Sequence, residues 1–270
     1  MKLWVLGSGS KGNAVLLESG DRRILVDAGF APRTLAHRLQ AIGVRPESIS
    51  DCVLTHDHGD HVCGAAAASR KWGWRVHATA GTATATEGVP EGRLATFEAG
   101  TEIDVAGFAI ATHRSSHDAS DPVVLVATDR RSGVRAGILY DLGHAPPALV
   151  GACAELDVLL VEANHDEGML WSGPYPESVR RRIASRTGHL SNRAAAQLAC
   201  AAVNGNLSHV VLAHLSEKCN DHGVAVSTVR TSLARTRFRG QVTPAMQHGP
   251  VGPFLPRAGR QQKVEQLALF

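Results

Sequence analysis

The sequence predicts an α/β fold built from layers of strands and helices, and two observations support this prediction. Short runs rich in Val, Leu and Ile, each bounded by Gly, Asn, Asp or Ser, are typical of strands. Between them lie segments with apolar residues at helical spacing, and this mixed order occurs twice along the chain. The 270 residues are 44% hydrophobic and 20% charged, which indicates a globular protein with a large core rather than a disordered chain.

Three strands and then a helix are predicted at the start of the chain. The strands cover residues 3–6, 14–18 and 23–26, separated by turn residues. In the following helix, Pro32 suits the first turn and Gly43 suits the position after the last turn. A strand at 52–55, an alanine-rich helix near 62–71 and a strand at 75–77 complete this half.

The second half is predicted to contain six strands and three helices. The strands are at residues 101–105, 108–112, 123–128, 137–140, 158–161 and 209–213, and the helices are near 177–185, 193–203 and 224–236. No apolar run is long enough to cross a membrane, and the first residues lack the apolar run of a secretory signal. The five cysteines form no C-x-x-C pair, so we expect reduced thiols and a cytoplasmic location.

The composition changes after Arg239, where proline and glycine become frequent. Such a composition is typical of a linker. We therefore predict a folded domain at residues 1–239 and a flexible tail at residues 240–270.

A dense group of metal-ligating residues follows the strand predicted at 52–55. In an extended segment, His56 and His58 face the same side, and Gly59 lets the chain turn and return Asp60 and His61 to the same point. Imidazole and carboxylate groups suit Zn²⁺ or Mn²⁺, and four of them in six residues favour two adjacent ion sites. The alternative is a solvated, histidine-rich loop.

This group resembles the H-x-H-x-D-H signature of the metallo-β-lactamase superfamily. Further blocks resemble its YycJ/WalJ-type branch: GSGSKGN at 7–13, VDAG at 26–29, SHDA at 116–119, YDLG at 140–143, EANHD at 162–166, GPYP at 173–176, GHLSN at 188–192 and LAHLS at 212–216. The resemblance covers residues 1–236. It implies a four-layer αβ/βα sandwich with the metal site between the sheets, and a two-metal phosphodiesterase that degrades DNA from 5′ to 3′.

The resemblance also implies further ligands, which come from later strand ends. One ion is expected at His56, His58 and His117. The other is expected at Asp60, His61 and His214, with Asp141 bridging the two. For these later ligands the residues alone leave alternatives open: His113 in place of His117, a turn role for Asp141 and a buried core role for His214.

Other residues of these blocks are candidates for contacts with substrate. His189 resembles a non-ligand histidine of ribonuclease Z enzymes, which implies proton donation or phosphate contact; the alternative is a histidine that merely precedes a helix. Ser191 and Asn192 begin that helix, whose free N–H groups suit a phosphate. Asn164 and His165 form another polar pair. Three roles are open for them: support of the metal ligands, contact with the end of a DNA strand, or a simple turn.

Arginines upstream of this helix are a second candidate for phosphate binding. Arg181 and Arg182 belong to a run of three arginines, and guanidinium groups bind phosphates through two hydrogen bonds. The alternative is the solvated face of an amphipathic helix.

The last five residues resemble the Q-L-x-L-F pentapeptide by which bacterial replication and repair proteins bind the sliding clamp. The matching residues are Gln266, Leu267, Leu269 and Phe270. A flexible tether would let these apolar anchors reach a groove on a partner. The alternative is a terminal segment that packs on its own domain or frays.

Three functions are therefore open at this stage. The favoured one is a two-metal DNA exonuclease of repair or replication. The second is a small-molecule hydrolase of the same fold, such as a thioesterase, lactonase or cyclic phosphodiesterase, because a fold alone does not fix the substrate. The third is a clamp-tethered DNA-binding protein without catalysis.

Overall fold

The computed structural model describes residues 1–257, which form two seven-stranded sheets with helices on their outer faces. The first six strands are β1 (Lys2–Gly7), β2 (Ala14–Ser19), β3 (Arg22–Val26), β4 (Asp51–Val53), β5 (Arg75–Thr79) and β6 (Leu94–Phe97). The others are β7 (Glu102–Val105), β8 (Phe108–Arg114), β9 (Val123–Asp129), β10 (Arg135–Leu139), β11 (Val158–Glu162), β12 (His209–Ala213), β13 (Gln241–Pro244) and β14 (Val251–Phe254).

The helices connect these strands. They are α1 (Pro32–Ala41), α2 (Gly59–Val62), α3 (Ala65–Trp72), α4 (Ala80–Ala83), α5 (Pro147–Ala152), α6 (Glu167–Ser172), α7 (Glu177–Ile183), α8 (Asn192–Ala201) and α9 (His222–Leu233). Local chemistry sets several of their ends: α3 ends at Gly73 in the left-handed conformation, and the Asp221 carboxylate accepts two backbone N–H groups at the start of α9. In the described part of the chain, no helix has the length and apolarity needed to span a membrane.

The two sheets share one plan, in which antiparallel strands are followed by parallel ones. The first sheet has the order β14-β1-β2-β3-β4-β5-β6 and is parallel from β3 to β6. The second has the order β13-β12-β11-β10-β9-β8-β7 and is parallel from β10 to β13. In open sheets of this kind, ligands bind beyond the carboxyl ends of the parallel strands.

Three apolar clusters separate four layers. One lies between the sheets and contains residues of both, such as Val15 and Val211. A second packs α1 and α3 on the first sheet through residues such as Leu35 and Ala68. A third packs α5, α8 and α9 on the second sheet through residues such as Leu198. The predicted four-layer sandwich is therefore confirmed.

The structure differs from the predicted boundary at residue 239. Strand β13 pairs with β12 in the second sheet, and β14 then crosses to the first sheet, where Phe254 lies opposite Leu3. Ala245 and Phe254 are buried in the core between the sheets. Residues 241–254 are therefore part of the folded domain and not of a flexible tail, because their backbone pairs with both sheets and their apolar side chains enter the core.

A buried carboxylate joins the two sheets at the end of β9. Asp129 accepts hydrogen bonds from Ser19 Oγ at 2.7 Å and from Arg22 Nη2 at 2.8 Å, both from the first sheet. Burial alone would raise the pKa of Asp129, but hydrogen bonds from Ser132, Ser19 and the Arg131 backbone outweigh this effect and lower the pKa to about 2.

Replacing Asp129 with Asn should reduce the free energy of unfolding at pH 7 by about 2 kcal/mol, because the native state holds the ionised form. The folded pKa lies below the unfolded value of about 3.9, so this stabilisation is present above about pH 4 and is lost as the pH falls towards 2. Urea unfolding of wild type and D129N should therefore converge over this interval. A constant difference would contradict the prediction, and D21N, on an exposed turn, is the control.

Candidate metal centre

The histidine-rich segment follows β4 at the carboxyl end of the parallel strands. His56 is buried and His58 lies at the surface of the cleft before α2, which carries Asp60 and His61. Gly59 begins α2 with ordinary helical geometry, so the expected glycine turn is a helical turn instead. The backbone of this segment instead packs closely against Gly29, where a Cβ would lie 1.7 Å from the carbonyl oxygen of Asp60.

Three histidines form a first group of candidate ligands. The ligand atoms of His56, His58 and His117 all lie within 4.8 Å of one another. His117 Nε2 is 3.2 Å from His58 Nδ1. His113, the open alternative to His117, lies within β8 and is absent from the ligand groups found among residues 1–257.

A second group lies beside the first. Asp60, His61 and His214 also place their ligand atoms within 4.8 Å of one another, and His214 Nε2 is 3.5 Å from Asp60 Oδ2. Asp141 lies between the groups: its Oδ2 is 3.0 Å from His61 Nε2 and its Oδ1 is 4.0 Å from His117 Nε2. All seven residues implied by the resemblance are thus brought together.

Asp27 at the end of β3 fixes the orientation of two of these rings. Its Oδ2 accepts hydrogen bonds from the Thr55 hydroxyl at 2.8 Å and the Tyr140 hydroxyl at 2.6 Å, and it lies 2.8 Å from His61 Nδ1. Because Thr55 donates to Asp27, its oxygen accepts from His56 Nδ1 at 3.0 Å. The Nε2 atoms of His56 and His61 are therefore the ring atoms that can bind a metal.

His117 is oriented in the same way by a backbone carbonyl. Its Nδ1 lies 3.1 Å from the oxygen of Gly188, which can only accept, so Nδ1 carries the proton and Nε2 the lone pair. Burial lowers the pKa values of His56 and His117, which keeps both rings neutral as metal binding requires.

These residues fit a divalent cation. His56 Nε2 is buried without a hydrogen-bond partner among the described residues. His61 Nε2 lies 3.0 Å from a carboxylate oxygen of Asp141; burial alone would lower the pKa of His61, but the Asp141 and Asp27 carboxylates raise it to about 10, so a proton holds the position between these atoms that a cation can take instead. Neutral imidazoles and carboxylates are ligands typical of Zn²⁺ and similar ions.

Backbone strain accompanies three of these strand-end residues. Asp27, Asp141 and His214 have φ values of 59°, 57° and 52°, in the left-handed region that non-glycine residues seldom adopt. Each directly follows a parallel strand or lies at its end. Strain of this kind is concentrated at functional sites.

Glu162 at the end of β11 holds two histidines of the site. The buried carboxylate accepts the backbone N–H groups of Leu142 and Leu190, and its Oε1 lies 2.7 Å from His189 Nδ1 and 3.2 Å from His214 Nδ1. Burial alone would lower the pKa of His189, but the Glu162 carboxylate raises it above the ordinary value. His189 thus donates from Nδ1 to Glu162, and its Nε2 remains available for a contact with substrate.

Asn164 and His165 follow Glu162 and differ in their surroundings. Asn164 Nδ2 donates to the carbonyl oxygen of His214 at 3.0 Å and so supports the loop that carries this candidate ligand. His165 is buried beside Ser191, and its Nδ1 has no hydrogen-bond partner in the described residues.

The arginines divide into one at the rim of the site and one facing outward. Arg182 Nε donates to Asp118 Oδ2 at 2.6 Å, and Asp118 directly follows His117. Arg181 pairs with Glu177 one turn earlier on the exposed face of α7. The alternative of a solvated helix face therefore describes Arg181.

The phosphate site expected at the start of α8 is not supported by the structure. Ser191 Oγ accepts the Ala194 N–H and donates to Glu167 at 3.1 Å. Asn192 is buried, its amide is paired with Asn220, and its N–H donates to the His165 carbonyl. The helix start is thus filled by side chains and faces a carboxylate, which would repel a phosphate.

Sequence reasoning assigned no role to Asp27 or Glu162, although both lay in blocks that it singled out. A signal was present, because each is an acidic residue at the end of an apolar run, as Asp141 is. The four clamp-binding candidates at residues 266–270 lie outside the described residues.

Comparison with known proteins identifies the family. Residues 7–161 match the sequence profile of the metallo-beta-lactamase superfamily. The chain belongs to this superfamily. The protein named Exodeoxyribonuclease WalJ from Streptococcus pneumoniae is 32% identical over 246 residues, which cover 87% of this chain and 88% of that protein.

Two further similarities agree with this assignment. The protein named Exodeoxyribonuclease YycJ from Bacillus anthracis is 28% identical over 238 residues, covering 87% of this chain and 89% of that one. The crystal structure of the metallo-beta-lactamase fold protein YhfI from Bacillus subtilis superposes with a TM-score of 0.69 at 17% identity, over 93% of this chain and 99% of that chain. The latter likeness concerns the fold alone.

Replacing Asp27 with Asn should weaken binding of Zn²⁺ about 10- to 100-fold, because His61 loses the carboxylate beside its Nδ1 and Thr55, which orients His56, loses the carboxylate to which it donates. Competition with a chromophoric chelator measures this affinity. D57N is a matched control, because Asp57 lies in the same loop but bonds to the Ser120 N–H. Equal affinities for D27N and wild type, with both folded by thermal melting, would rule out this role for Asp27.

Proposed function

We propose that this protein is a metal-dependent DNA exonuclease that acts from 5′ to 3′ in repair or replication in the cytoplasm. The observation that carries this proposal is the pair of ligand groups joined by Asp141, together with similarity to exodeoxyribonucleases along most of the chain. A hydrolytic site that holds several cations suits a polyanionic substrate.

We propose two divalent ions, Zn²⁺ or Mn²⁺. One would be held by His56, His58 and His117, the other by Asp60, His61 and His214, with Asp141 shared. When bound, such ions would supply a water nucleophile at neutral pH and neutralise charge on the phosphoryl group.

His189 is the proposed proton donor to the leaving oxygen. Its Nδ1 is held by Glu162, and 21% of its side chain is exposed where it lines a cavity beside the ligand groups. The proton on Nε2 is therefore the one that can reach the leaving group. Glu162 has the role of keeping the ring in this orientation, and Arg182 at the rim can contact the DNA backbone.

Substituting Asp141 or His56 by Ala should reduce degradation of labelled duplex DNA at least about 100-fold, because each change removes a ligand from the proposed ion sites. The assay uses Mn²⁺ or Zn²⁺ after metal content has been measured, and EDTA should abolish the activity. D57N is again the control.

Intact DNA after incubation with wild type of confirmed metal content would refute the proposed function. Turnover of a thioester or lactone under the same conditions would instead favour a small-molecule hydrolase.

We also propose that the end of the chain binds the bacterial sliding clamp through Gln266, Leu267, Leu269 and Phe270. The support is the resemblance of these residues to the clamp-binding pentapeptide. Because β14 ends at Phe254, fewer residues separate the folded domain from these residues than the sequence predicts.

Deleting residues 266–270 should abolish retention of the protein by immobilised clamp and leave degradation of short DNA unchanged, because the ligand groups lie within residues 56–214. Retention in a pull-down measures the first effect and the nuclease assay the second. Undiminished retention of the shortened protein would refute the clamp proposal.

A further inference from the structure

A cavity of about 300 Å³ lies beside the proposed ion sites. His189 and His214 line one part of it, and the rest includes Ser216, Lys218 and Tyr175. This volume is at the lower end of the range for small-ligand cavities. It suits the end of one DNA strand rather than a duplex.

The Ser216 hydroxyl is arranged as a donor into this cavity. Its oxygen accepts the backbone N–H groups of Lys218 at 3.3 Å and Cys219 at 3.1 Å. A hydroxyl has one proton and two lone pairs. Since both bonds use lone pairs, the proton remains for an acceptor such as a phosphate oxygen.

Lys218 supplies a positive charge that no carboxylate neutralises. Within residues 1–257, its ammonium has no carboxylate oxygen closer than the 4.0 Å of an ion pair. The ammonium lies 5.1 Å from the centre of the Tyr175 ring, which Pro174 and Pro176 flank and stiffen. The other ammonium of this cavity, on Lys11, is already bound to Glu217 at 2.6 Å.

We propose that Ser216 and Lys218 bind the 5′-terminal phosphate of the DNA strand that is being degraded. A terminal phosphate carries about −1.5 to −2 charges, more than the single charge of an internal phosphodiester, so this pair distinguishes a phosphorylated end from the interior and from a hydroxyl end. The inference rests on the proposed exonuclease function. It assigns the selection of strand ends to residues outside the ion ligands.

Binding of internally labelled single-stranded oligonucleotides in EDTA, followed by fluorescence anisotropy, tests this assignment without catalysis. Wild type should bind a 5′-phosphorylated oligonucleotide about 10-fold more tightly than one with hydroxyls at both ends, as expected for a charged hydrogen bond. The variant K218A should lose this preference, and K218R should retain most of it because the charge remains. K71A is the matched control, since Lys71 also lies over an aromatic ring, that of Trp72.

A third oligonucleotide, with a 3′-phosphate and a 5′-hydroxyl, distinguishes the two ends of the strand. Equal preference for both phosphorylated oligonucleotides, or an undiminished 5′-phosphate preference in K218A, would overturn the inference. If wild type degrades DNA but shows neither preference, end selection fails and the proposed nuclease function stands. Absence of degradation by the metal-loaded wild type refutes the nuclease function itself.

Discussion

Burial of the Asp141 carboxylate among imidazoles from both sheets is the interaction on which the site depends. A buried ionised carboxylate is costly unless positive charge or hydrogen bonds compensate it. Asp141 follows β10 of the second sheet, yet its Oδ2 lies 3.0 Å from His61 of the first sheet and its Oδ1 lies 3.4 Å from His214. This compensation requires the two sheets to meet at the carboxyl ends of their parallel strands. The contact that joins the two sheets therefore also forms the candidate cation site.

Much of the layered fold could be predicted because central strands carry their own signal. The apolar run of β11 is typical of a strand buried on both faces, and the structure contains it almost as predicted. The edge strands β6, β13 and β14 could not be predicted in this way. Strand β6 is only four residues long and has no buried residue, whereas β13 and β14 include Pro244 and Pro253, which sheet edges tolerate. The pairing of β13 and β14 also depends on partners far away in the sequence.

The candidate site also combines residues with a local sequence signal and residues whose role depends on contacts made only in the folded protein. The segment from His56 to His61 is local, so its spacing alone predicted ligands that converge. The roles of Asp27 and Glu162 depend on which rings they contact after folding, as with Thr55 between Asp27 and His56. Asn192 was interpreted as a phosphate contact because sequence could not show that Asn220 would pair with its amide.

The crossing of the chain from β13 to β14 has a consequence for protein synthesis. Strand β1 is translated before the other strands of the first sheet, but the β14 edge of this sheet forms only after residue 254 has been made. His56 and His61 are thus translated long before Asp141 and His214 can shield them. An ion captured by the nascent chain would meet an incomplete set of ligands until His214 and β14 have been made, so stable metal uptake should follow their synthesis.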